Sequence, residues 1–247
     1  MRTANPALNK KTFEQFAPYA DRKAMTLQGT VNRTAILLVL AVGAALWPWT
    51  LFFRGGGYEA VIPYVLGGAI AGFVVAIVTV FKRSWAVVTG PVYAILEGLF
   101  IGGISAVFEA RFPGIVIQAV ALTFGVLLCL LAAYTTRLIK VTQNFRLGVV
   151  AATGGIVIIY AISFIGGFFG LNVPYIHESG IIGIGFSLFV VVIAALNLVL
   201  DFDFIESGVE QGAPKYMEWY AAFGLLVTLV WLYLEILRLL AKLRGRR

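Results

Sequence analysis

Three carboxylates stand in or at the end of apolar runs of this chain: Glu97 and Glu235 lie within theirs, and Asp201 terminates its own. A charge at the centre of a bilayer costs about 2.5–3.5 kcal/mol on insertion scales, so an acid kept there points by default to proton or cation chemistry. Spacing adds to each position. Asn197 and Asp201 are four apart and share a helical face, while Thr228, Glu235 and Arg238 fall near one face at spacings of seven and three. Asp203 lies about 200° round the helix from Asp201, so it meets water when Asp201 points inward. If Asp201 and Glu235 touch inside a bundle, withdrawn from water, they hold one proton between them over a wide range of pH. The shared proton locks two helices together. Losing it leaves two like charges that separate or recruit a cation. Two or three carboxylates fall short of the six to eight oxygens of a tight calcium site, so the Asp201 and Glu235 pair suits transient passage of Ca²⁺ or H⁺.

Plainer readings stay open at each position. Glu235 can pair with Arg238 one turn on and snorkel to the surface. Asp201 can be a helix-end acid in water, since Glu206, Glu210 and Glu218 follow in an acidic loop. Glu97, downstream of a Gly90-Pro91 kink, can be a neutral acid bonded to another helix. Contact between Asp201 and Glu235 also has a geometric condition: the sixth helix must run past Asp201, or the seventh must begin late or bend near Gly224. His177, beside Glu178, reads as a solvated loop histidine. A single histidine excludes a HExxH zinc site. Gly185-Phe186-Ser187 vaguely resembles an intramembrane serine protease, but no later helix supplies a histidine to activate the serine. Walker and dinucleotide fingerprints are absent. Neither catalysis nor a cofactor is expected, beyond Ca²⁺ and H⁺ as permeant or regulatory ions.

The elements that must position these acids are membrane helices. The chain has 247 residues, 60% hydrophobic and only 13% charged, with a mean hydropathy of +0.93. That excludes disorder, a disulfide scaffold and an ordinary water-soluble enzyme. The sole cysteine, Cys129, lies in an apolar run. Apolar runs at 35–53, 60–81, 85–108, 115–134, 147–169, 181–200 and 220–240 predict an all-α bundle of seven transmembrane helices. Such runs do not alternate as barrel strands do. The small-residue patterns Gly68–Gly72 and Gly98–Gly102 predict close helix packing. A polar tail, 1–33, with Phe13 and Phe16 among lysines, precedes the transmembrane domain, 34–243, and a short basic tail, 244–247, ends it. The net charge of +7 orients such a chain in the bilayer rather than on nucleic acid. Lys and Arg concentrate in the first tail and in the loops on its side, which predicts a cytoplasmic N-terminus. The basic cluster from Arg238 to Arg247 sits poorly with a seventh crossing that ends outside.

Leu196-Asn197-Leu198-Val199-Leu200-Asp201-Phe202-Asp203-Phe204-Ile205 and Trp231-Leu232-Tyr233-Leu234-Glu235-Ile236-Leu237-Arg238-Leu239-Leu240 resemble the last two helices of the Bax inhibitor (transmembrane Bax-inhibitor-motif) family, bacterial branch. The 24–34 segment and Leu96-Glu97-Gly98-Leu99 are similar to the same branch. The resemblance implies a bundle with the last helix central, in a bacterial inner membrane, acting as a pH-sensitive calcium leak. It also implies an aspartate pair on the sixth and seventh helices as proton sensor. Carried over, Asp201 matches the first and Glu235 takes the place of the second. A nearby arginine that captures or releases one of the pair maps to the neighbourhood of Lys82 and Arg83. Two other uses accompany the resemblance: restraint of a membrane protease as partner, and proton-coupled carriage, against which the lack of an internal repeat counts.

Overall fold

The computed structural model describes residues 24–168 and 180–245. His177, Phe13, Phe16 and most of the expected N-terminal tail lie outside the described residues, as do Arg246 and Arg247. The described chain is helical, with no β-strand: α1 Leu27–Leu51, α2 Gly57–Phe81, α3 Ala86–Arg111, α4 Ile115–Thr135, α5 Gln143–Phe168, α6 Ile181–Glu210 and α7 Met217–Gly245. A π-helical turn, Phe52–Gly56, joins α1 to α2, and a 3₁₀ turn, Arg83–Trp85, joins α2 to α3. Six continuous stretches among the described residues are long and apolar enough to cross a membrane. The difference from the expected seven lies at the π turn, through which Leu27–Phe81 runs as one 55-residue stretch. Left-handed backbone at Gly55 (φ 101°) and Gly57 (φ 57°) breaks the regular helix there, a conformation that glycine adopts without a Cβ clash.

Lipid-facing surface is plain in the side chains left outside. Val39, Ile70, Phe73, Phe81 and Ile158 are all exposed, an apolar coat that water would not tolerate over such an area. Inside, α1 and α2 both pack along α3, and α7 packs against α1, α3, α4 and α6. The last helix buries residues on several faces, from Ala221 through Leu229 to Leu237, whereas α5 rests mainly on α6.

Small residues bring α1, α2 and α3 together at backbone distance. A Cβ on Gly102 would stand 2.2 Å from the Ala45 carbonyl oxygen, and one on Gly98 2.2 Å from that of Ala41. A Cβ on Gly68 would meet the Leu96 carbonyl at 2.6 Å. Without a hydrophobic driving force between helices in lipid, such close approach is the source of their association.

One end of the bundle is tied by a clamp. Helix α1 begins at Leu27, inside the expected tail, because Thr26 caps it by accepting from the Gly29 backbone N–H. The Thr26 N–H and hydroxyl both donate to Glu218 at 3.1 and 2.9 Å, and Met25 N–H donates to the Ala213 carbonyl at 2.7 Å. Lys215 adds an ion pair at 2.6 Å, and the Arg33 guanidinium lies 3.9 Å away. Glu218 is only 1% exposed. Placing it in a solvated acidic loop is therefore overturned: α7 already begins at Met217, and the residue is a buried tie between the two ends of the chain.

The glycine seam gives a direct test. Gly102→Val forces the α1 backbone away and should destabilise the protein by about 1–3 kcal/mol, the cost typical of overpacking. Gly125→Ala, where a Cβ meets nothing within 4 Å, should leave the melting temperature in detergent nearly unchanged.

Candidate functional site

Antiparallel helices joined by a short turn bring together residues that lie equally far from the turn. Asp201 is nine residues before the end of α6 at Glu210, and Thr228 is eleven residues into α7. At 1.5 Å per residue they stand about 14 and 16 Å from the turn, hence nearly level. Glu235 lies about 10 Å further along α7.

The result is a cavity of about 700 Å³ between α2, α3, α6 and α7, whose wall includes Asp201, Thr228, Glu97 and Tyr93. The Thr228 hydroxyl faces the Asp201 carboxyl and also donates to the Gly224 carbonyl at 3.3 Å. The other Asp201 oxygen, Oδ2, is buried and has no hydrogen-bond partner. Glu97 projects from α3 over Gly72 of α2, where an added Cβ would stand 3.4 Å from Oε2. The Tyr93 hydroxyl, one turn earlier on α3, faces the Glu97 carboxyl. The Tyr93 ring packs edge-on against Phe223 at 4.9 Å, fixing α3 to α7 beside the cavity. Two acids thus share one space in which most other lining groups are apolar.

Glu235 belongs to a different cluster. Its Oε1 accepts from Arg238 at 2.8 Å and from the Tyr160 hydroxyl at 3.0 Å, and Arg238 also donates to Tyr160 at 2.9 Å. Its Oε2 is buried without a partner, and the residue is 2% exposed. No hydrogen bond joins Asp201 to Glu235. The expected contact pair is corrected accordingly: α6 does continue past Asp201, yet this sets Asp201 level with Thr228 and leaves Glu235 two turns beyond. Among the described residues, no group of three or more His, Cys, Asp or Glu could hold a metal.

The remaining expected residues disperse. Asn197 donates to Thr153 at 2.9 Å and to the Ile193 carbonyl at 2.8 Å, tying α6 to α5 instead of joining Asp201. Asp203 is not simply solvated: it pairs with Arg146 at 2.5 Å. Arg83 lies over the Tyr220 ring at 5.6 Å, next to the cavity wall, and Lys82 over Trp85 at 5.6 Å. Neither pairs with Asp201; the arginines that meet expected site acids are Arg146, on Asp203, and Arg238, on Glu235.

Several polar partners escaped the sequence reading. Tyr93 was open to discovery, being one helical turn from Glu97. Tyr160 was not, since α5 gives no spacing signal toward Glu235. Ser187, set aside as an isolated serine, accepts from Lys242 at 2.8 Å, and Lys242 also donates to the Gly183 carbonyl at 3.1 Å. Lys242 is therefore buried in the bundle rather than part of a free basic end.

Comparison with known proteins accords with this architecture. A family model described as Bax inhibitor 1 like matches residues 5–245. No curated protein and no solved structure matches the chain. Spanning nearly the whole sequence, the family match covers every helix and both acidic clusters, and the chain belongs to the Bax inhibitor 1 like family.

Proposed function

We propose that this protein is a pH-sensitive cation leak of the bacterial inner membrane, with Ca²⁺ as a permeant ion and the Asp201–Glu97 cavity as its ion-collecting chamber. The observation that carries the reading is the unpartnered Asp201 Oδ2 beside a second carboxylate in a membrane-embedded cavity. A carboxylate withdrawn from water without a partner is costly unless it takes a proton or a cation. Those two occupants compete for the same oxygens. Acid fills the site with protons and removes its attraction for cations; alkali frees the charges and draws cations in.

In this reading the chain crosses the bilayer seven times, with α1 and α2 as separate crossings, a cytoplasmic N-terminus and the last helix central. The fold-back of α1 and α2 onto the same helix α3 supports separate crossings, and the burial of α7 supports its central place. With that orientation the cavity lies toward the cytoplasmic side. Glu235, neutralised by Arg238 and Tyr160, then closes the route two turns beyond Thr228. Asp201 and Glu235 still act as sensing and gating acids, arranged in series instead of in contact. No catalytic step and no bound cofactor form part of this reading.

Reconstituted vesicles loaded with a calcium dye test it. Wild-type flux should rise as pH is raised, and Asp201→Asn should flatten that dependence by leaving one ionisable acid in the chamber. The double variant with Glu97→Gln should abolish it. Absence of any Ca²⁺ flux in the wild type, with a membrane protease co-purifying, would replace the leak with the protease-restraint reading. Accumulation against a gradient would replace it with a carrier.

The second cluster gives a separable outcome. Glu235→Gln removes the ionic partner of Arg238 and should raise basal flux at every pH, while the slope set by Asp201 persists. An unchanged baseline would remove Glu235 from the gate without touching the chamber.

A further inference from the structure

The face of α7 turned away from the acidic cavity borders a second hollow, of about 240 Å³, lying between α1, α3, α4 and α7. Leu226, Leu229 and Val230 form its inner wall. Helix α1 packs along α3 and α7, and α4 along α6 and α7, so the space between α1 and α4 is its mouth. Val42 and Leu46 of α1 and Phe124 of α4 line the hollow and are exposed. On a chain with this apolar coat, that exposure is to lipid hydrocarbon.

The chemistry of the walls is one-sided. The three side-chain hydroxyls among the lining residues are already engaged: Ser105 with Tyr233 at 2.6 Å, and Thr123 with the Ala119 carbonyl at 2.7 Å. Water placed there would find few partners beyond the Trp49 indole N–H, and polar sites are what retain buried water. Left empty, the hollow would deprive its walls of dispersion contacts in an interior that is otherwise close-packed. No charged residue lines it, so it offers nothing to a headgroup.

We propose that the hollow between α1 and α4 is a binding site for a single lipid acyl chain, inserted sideways from the bilayer until it rests against α7. The occupant is a hydrocarbon tail, whatever headgroup carries it. It would buttress α7 from one side, while Thr228 faces the acidic cavity from the other. The assignment needs only the membrane setting and is independent of ion flux.

Photolabelling tests it on the full chain in phosphatidylcholine vesicles containing a small fraction of phosphatidylcholine with a diazirine along one acyl chain. Label should accumulate at Val120 and Phe124 several-fold above Ile70 and Ile158, which face outward on α2 and α5. Val120→Trp fills the hollow and should cut that label several-fold. Val42→Trp, at an exposed rim position that leaves the packed interior untouched, should do the same. Labelling no higher than at Ile70 and Ile158 would mean bulk lipid contact only and would overturn the site. So would labelling that persists unchanged in correctly helical Val42→Trp protein.

Discussion

The short turn between α6 and α7 decides which polar groups meet. Once two antiparallel helices leave the same turn, the rise per residue fixes their register, and side chains at unequal distances cannot be neighbours. Asp201 therefore faces a threonine, not the second acid. The same register leaves Glu235 to find its partners on its own helix and on α5. Two separate polar sites along one apolar helix follow from the length of α6 beyond Asp201.

Those two sites differ in how their charge is met. Glu235 has a guanidinium and a phenol on one oxygen, so much of its cost in the bilayer is offset locally. Among the described residues Asp201 has a single hydroxyl partner and no cation, and it lines the cavity. Both acids keep one buried oxygen without a partner, but of the two it is Asp201 that lines a cavity together with a further carboxylate. Glu97 reinforces it, standing over Gly72 of α2 on the wall of the same cavity.

Much of this was legible in the residues. Hydropathy located the helices, since lipid imposes a length and an apolarity that few other settings demand. The cost of intramembrane charge singled out Glu97, Asp201 and Glu235, and all three are inside the bundle. Glycine spacing at Gly98–Gly102 signals a close helix contact, and the helix that makes it is α1. What stayed hidden depends on tertiary register. Spacing along one helix shows which residues share a face but not which neighbour that face meets. Asn197 and Asp201 share a face by spacing, yet one turns to α5 and the other to the cavity. Glu218 was hidden for a related reason: its partners Thr26 and Lys215 come from opposite ends of the chain.

The clamp between Thr26 and Glu218 spans 192 residues of sequence. During synthesis the first helix leaves the ribosome long before its anchor exists. The capped start of α1 must wait, without its carboxylate acceptor, until nearly every other helix has been inserted. Closure of that tie is consequently a late event in biogenesis, and a chain truncated before the last helix would carry a first helix with no fixed point at that end.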